Sequence, residues 1–148
     1  MSSEEETLRR LAVELRMLEG TANVLQSRIQ LVNAALAELR MASATLEGLE
    51  KESEGISLFV PIGGGSYVKV KLESADTVVV GVGANIAVER PISEARENLE
   101  NRISQLENTR RSLQQQLTQV IQRIQDGRSK LEALTAKLSQ KQQAERKK

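Results

Sequence analysis

Two glycine-rich stretches are the residues here whose types could do chemistry. Gly63-Gly64-Gly65-Ser66 has the look of a phosphate-cradling loop, and Gly81-Val82-Gly83 that of the start of a dinucleotide fingerprint. Neither holds up. No Gly-Lys-Ser/Thr and no helix start follows the first, and Ile86 stands where the second needs a small residue. Both read better as turns. The chain has no histidine and no cysteine, which removes thiol nucleophiles, disulfides, an imidazole base and the usual zinc ligands. Its carboxylates are interspersed with Arg and Lys along helix-like stretches, the pattern of a solvated or ion-paired surface rather than of a catalytic pair. The expectation is therefore a protein that is not an enzyme, with no cofactor and no metal.

One Phe, one Tyr and no Trp in 148 residues cannot fill an ordinary globular core. The core must be elongated and aliphatic. The net charge is +1, so no strong field points to nucleic acid or to an anionic membrane surface. Its distribution is uneven: residues 1–54 carry 10 acidic and 6 basic side chains, residues 55–90 carry 3 of each, and residues 91–148 carry 7 and 12. The two ends of the chain should attract. No apolar run reaches the roughly 18 residues of a membrane span, and the first residues lack the features of a signal peptide, so a cytoplasmic location is expected. Arg146-Lys147-Lys148 reads as a solvated helix end rather than as a nucleic-acid contact.

What positions these residues is a pair of heptad helices. Ser2 and Ser3 stand three residues before Glu5 and Glu6, a capping-box spacing. From there Leu8, Leu11, Leu15, Leu18, Ala22, Leu25, Ile29, Val32, Leu36, Leu39, Ser43 and Leu46 alternate in steps of three and four. Gly55 is the expected C-cap. A second stripe runs Ile92, Arg96, Leu99, Ile103, Leu106, Arg110, Leu113, Leu117, Val120, Ile124, Gly127, Leu131, Leu134 and Leu138, with Pro91 at its first helical position. The chain thus divides into a helix over 1–54, a β region over 55–90 and a helix over 91–148.

The β region is the stretch the chain is organised around. Ile56–Val60, ended by Pro61, and Ser66–Leu72 read as one hairpin, and Thr77–Val82 and Ile86–Glu89 as a second. Val68, Val70 and Leu72 alternate with Lys69 and Lys71, so one face is dry and one wet. Four short strands leave unpaired edges that call for partner chains, and the run Val78-Val79-Val80 suits a strand covered on both faces. Helices of equal length on either side imply an antiparallel coiled-coil hairpin, each arm roughly 75 to 80 Å long at about 1.5 Å per residue. Paired positions should then add to about 146, from helices that end near Glu54 and start near Ile92. That places Arg96 beside Glu47 and Glu50, and Gly20 level with Gly127, where a shared hinge or close approach is expected. The ends of the arms gather an apolar stripe, Leu8, Leu11, Val13, Leu15 and Leu18 with Leu131, Leu134 and Leu138, of which Val13 lies off the seam and should be exposed.

Val60-Pro-Ile-Gly-Gly-Gly-Ser-Tyr-Val-Lys-Val-Lys-Leu72 and Val78-Val-Val-Gly-Val-Gly-Ala-Asn-Ile-Ala-Val-Glu89 resemble the prefoldin family, specifically its alpha class, in which such segments lie between two coiled-coil helices. Two hairpins rather than one favour the alpha over the beta class. Gly64 makes a triple glycine where the family has a single residue between two glycines, which should only loosen the turn. The resemblance implies an α+β fold, a long antiparallel coiled-coil hairpin whose two β-hairpins join an oligomeric β-barrel. It also implies a hexamer of two alpha and four beta subunits, which binds unfolded polypeptide at the coil tips without ATP and passes it to a group II chaperonin. On this reading the tip residues above contact clients, and Val60, Tyr67, Val68, Val70, Leu72, Val78, Val79, Val80, Val82, Ile86 and Val88 serve assembly. The filament-forming gamma class shares these motifs, so a structural homo-oligomer or filament is the alternative.

Overall fold

A computed structural model describes residues 2–148. Helix α1 spans Ser3–Glu50 and helix α2 spans Ile92–Arg146. Between them lie strands β1 (Ser57–Gly63), β2 (Ser66–Lys71), β3 (Thr77–Gly83) and β4 (Ile86–Pro91). The strands form two separate two-stranded antiparallel sheets, β1 with β2 and β3 with β4. The fold is two long helices with two small β-hairpins.

Contacts divide the chain into two units, one pairing the residues up to Asn33 with Asn108–Lys148, the other comprising Ala34–Glu107. The first unit is an antiparallel helix pair. Its start is fixed by a reciprocal capping box: the Glu5 amide donates to Ser2 Oγ at 3.2 Å, and the Ser2 amide donates back to Glu5 Oε2 at 3.4 Å. Two orphan amides are satisfied at the end that bears the positive pole of the helix dipole. Leu15, Ala22, Leu25, Leu113, Leu117 and Ile124 form the core, all from the heptad stripes, with Leu18, Ile29, Val32, Val120 and Leu131 packed against it. Each such leucine, taken from water, contributes about 2 kcal/mol, so the pair is held by its seam and not by helix propensity.

In the second unit Leu36, Leu39, Ile92 and Ala95 are buried, and Leu36 is the most enclosed side chain at 1% exposure. Both hairpins turn in the same way. Gly64 and Gly65 have φ of 57° and 76°, and Ala84 and Asn85 have φ of 51° and 59°. Positive φ at both central residues is the signature of the type I′ turn, whose twist matches that of the flanking strands. In each hairpin the register slips by one residue just before the turn, between Pro61 and Gly63 and between Gly81 and Gly83.

Three expectations are corrected here. Strand β1 does not stop at Pro61 but continues through it to Gly63; proline lacks an amide donor, and a two-stranded sheet tolerates it because one side of every strand is an edge. Gly55 does not cap α1. The Glu52 amide closes the last turn on the Leu49 carbonyl, and Gly55, at φ +82°, instead leads into β1 and donates to the Leu72 carbonyl at 2.7 Å. Pro91 ends β4, pairing with Thr77, and α2 begins one residue later. At the triple glycine, Gly63, Gly64 and Gly65 all adopt positive φ that other residues would hold under strain.

Candidate functional site

The hairpins present an unusual density of solvent-facing apolar side chains. In the first, Leu58 pairs with Val70 and Val60 with Val68 on one face, while Phe59 lies opposite Lys69 and Pro61 opposite Tyr67 on the other. Leu58 and Val70 are half-buried; Val60, Val68, Ile62, Tyr67 and Phe59 are exposed, Phe59 at 71%. In the second, Val80 pairs with Val88 on the half-buried face that also carries Val78, whereas Val79 (71% exposed), Val82 and Ile86 face water. Leu72 is half-buried beyond the end of β2, where its amide extends the ladder by donating to the Ile56 carbonyl.

Val78 and Val80 turn towards the helices of their own unit. With Gly81 they line an open apolar groove of about 530 Å³, whose other walls are Met41, Ala42, Thr45 and Leu46 of α1 and Ala95 and Leu99 of α2. One face of β3 thus looks into a groove walled by the helices, and the opposite face that holds Val79 is bare. Within the chain Val78 and Val80 are half-buried and Val79 is exposed, so neither face of this strand is fully covered.

The second cluster singled out in the sequence lies where the chain ends come together. Glu4 receives ion pairs from Lys137 at 3.1 Å and Lys141 at 3.3 Å, so the start of α1 and the end of α2 are side by side. These two lysines, by hydrogen bonding and charge, hold the Glu4 carboxyl below the usual glutamate range. Of the eight residues named there, Leu15 is buried, at 7% exposure, and belongs to the core. Leu8, Leu11, Leu18, Leu131, Leu134 and Leu138 are half-buried, and Val13 is exposed at 50%, as its off-seam position required.

Cross-helix polar pairs follow the register read from the heptads. Arg128 meets Glu19 at 2.9 Å in the first unit, and Arg40 meets Glu107 at 2.7 Å in the second. Arg96, in a seam position, is met by Glu50 at 2.5 Å, although its Nε is buried without a partner. Gly127 is a close-approach site: a Cβ there would lie 2.8 Å from Leu15 Cδ2. Gly20 is not, because a Cβ there would meet nothing within 4 Å. A further glycine inside a helix, Gly48, falls within α1.

Sequence reasoning passed over three groups of residues. Phe59 and Ile62 were left out of the assembly set, although Phe59 is the only Phe and alternates with Leu58 and Val60. Met17, Val24 and Leu31 are exposed at 69%, 51% and 71%, and their spacing of seven was legible beside the seam. Met41, in the second unit, is 72% exposed and lines the groove beside β3.

Two long helices bracketing two type I′ hairpins, with no aromatic core, can be compared with known proteins. A family model described as prefoldin subunit matches residues 18–144. The chain belongs to the prefoldin family. It is 34% identical to prefoldin subunit alpha of Pyrococcus horikoshii over 94% of this chain and 95% of that one. It is 36% identical to prefoldin subunit alpha 2 of Methanocaldococcus jannaschii over 69% of each. Among solved structures, a chain of filamentous PFD from Methanocaldococcus jannaschii superimposes with a TM-score of 0.66 at 33% identity, covering 78% of this chain and 95% of that one. Prefoldin is a chaperone family and not an enzyme family, and the relatives place this chain with its alpha subunits.

Proposed function

We propose that this chain is the alpha-class subunit of an ATP-independent holdase, which captures unfolded polypeptide and releases it to a group II chaperonin. The observation that carries this reading is the bare apolar surface of the hairpins. Phe59, Ile62, Tyr67, Val79, Val82 and Ile86 stand in water beside unpaired strand edges, a condition that association with other subunits relieves. Val60, Val68, Val70 and Leu72 extend the assembly surface, and Val78, Val80 and Val88, on the face towards the helices, join it where a partner enters the groove there. Beta-class chains are the proposed partners, four of them with two alpha chains around a shared β-barrel, and no nucleotide or metal takes part. Client contacts fall to the paired helix ends, where Val13 is open and the half-buried Leu8, Leu11, Leu18, Leu131, Leu134 and Leu138 become available as the ends fray. Leu15 serves only when the pair opens. Several weak grips on one client give strong but releasable binding.

A complex purified with its beta-class partner should suppress aggregation of a denatured client. Removing residues 1–18 and 131–148 should abolish that suppression and leave assembly intact; full suppression by the truncated complex would refute tip binding. A second reading, a homo-oligomer or filament with chaperoning secondary, is favoured by the likeness to the filamentous PFD chain. Light scattering on the lone chain separates them: open-ended growth supports the filament, a closed species or a hexamer formed only with the partner supports the holdase.

A further inference from the structure

The outer side of α1 in the first unit carries a second heptad stripe, distinct from the seam, whose first residue is the open client contact Val13. Val13, Met17, Gly20, Val24, Ser27 and Leu31 follow steps of four, three, four, three and four, and all of them are exposed. A soluble helix pair needs only one apolar stripe per helix, so a regular second one is the mark of a second partner helix. Its order of sizes identifies that partner. Laid antiparallel on itself, the stripe sets Val13 against Leu31, Met17 against Ser27 and Gly20 against Val24, a large side chain facing a smaller one in the last two layers. Laid parallel, it would set Met17 against Met17 and leave a hole between two Gly20 residues.

The charges beside the stripe agree. Glu14 and Arg28 flank it on one edge, both exposed, and neither has an ion pair among the described residues. In the antiparallel register each Glu14 meets the Arg28 of the other copy, twice by symmetry. On α2, Gln116 and Gln119 line a shallow groove of about 640 Å³ with Met17, Gly20, Thr21, Val24 and Arg28, and Arg123, Asp126 and Lys130 lie on the side of Glu14. We propose that a second copy of this chain docks antiparallel along this face of α1, with Gly20 giving the close approach that its open surroundings allow. Six layers make an interface below the roughly 1,200 Å² of standard stable complexes, so the pair is weak and reversible.

Because the chain has no cysteine, single-cysteine variants of the full-length protein report on this directly. Thr21 lies close to the symmetry axis, so Thr21→Cys should cross-link to itself under mild oxidation, at least about fivefold more than Gln115→Cys on the outer side of α2. Adding Glu14→Arg, or separately Arg28→Glu, should cut that yield several-fold, and combining the two should restore it. The restoration cannot arise within one chain, because the two positions are about 21 Å apart along the helix. Cross-linking no higher than at Gln115→Cys overturns the proposal. So does a high yield that the combined reversal leaves low, since that result describes a parallel or unregistered contact.

Discussion

At the residue scale the glycines separate by what surrounds them. Gly127 is a seam residue because Leu15, from the opposite helix, fills the space a side chain would need, and Leu15 is itself buried. Gly127→Ala gains about 1 kcal/mol of helix propensity but forces Leu15 to move, an overpacking that costs about 1–3 kcal/mol. It should lower stability or leave it level. Gly20→Ala meets no neighbour and should raise it by about 0.5–1 kcal/mol in urea unfolding at low protein concentration. Equal gains for both would contradict the close packing of Leu15 on Gly127. Arg96 poses the complementary question. It is a guanidinium in an apolar seam, with side-chain exposure of 29%, paired to Glu50 and carrying an unpartnered Nε. Removing Glu50 with Ala should cost about 1–3 kcal/mol by leaving that charge unmatched, while Arg96→Leu should be neutral or stabilising; the two denaturation curves decide it.

At the scale of elements, the two hairpins have one design with different residues. The first spends glycine on every positive φ, whereas the second places Ala84 at φ 51°, a conformation that costs an L-residue with a Cβ roughly 1 kcal/mol. Ala84→Gly should therefore strengthen the second turn by up to about 1 kcal/mol, and Gly64→Ala should weaken the first by a similar amount, read as shifts in thermal unfolding of the assembled protein. The helix ends make a different prediction. Lys137 and then Lys141 lower the Glu4 pKa, so the folded state favours the ionised carboxylate. The resulting stabilisation is complete above the ordinary glutamate range and is lost as pH falls through the lowered folded value. Amide exchange in the first turns of α1 should accelerate on acidification through that window. Replacing both lysines by Met should return the Glu4 carboxyl, followed by NMR, to the ordinary range.

At the scale of the whole molecule, the exposed apolar side chains on the hairpins govern the mass in solution. Phe59→Lys with Val79→Lys should leave helix content unchanged, because neither residue touches the helix seam, and should reduce the assembled mass measured by light scattering. Assembly that survives both charges would move the interface elsewhere. Much of this architecture was legible beforehand: the seams from Leu8 to Leu46 and from Ile92 to Leu138, both hairpins, the Ser2–Glu5 cap and the pairing of Arg96 with Glu50 follow from spacing alone. Boundaries were less so. Pro61 and Gly55 carry standard stop signals, and both were overruled by pairing to Tyr67 and Leu72, partners that local sequence cannot display.

Sequence by itself determined the elements and their register, because heptad and strand periodicities are local properties and the β region joining the helices near Glu54 and Ile92 fixes which heptads can pair. Tertiary structure alone decided which apolar residues are spent. Leu15, Val13 and Met17 are alike in hydrophobicity and lie within one turn and a half of helix, yet Leu15 is enclosed against Gly127 while Val13 and Met17 stand in water. The same holds on β3, where Val80 is half-buried at the helix-walled groove and Val79, its neighbour, stands in water. Exposure depends on what lies opposite, and that is set by the packing of distant segments rather than by the residue's own chemistry.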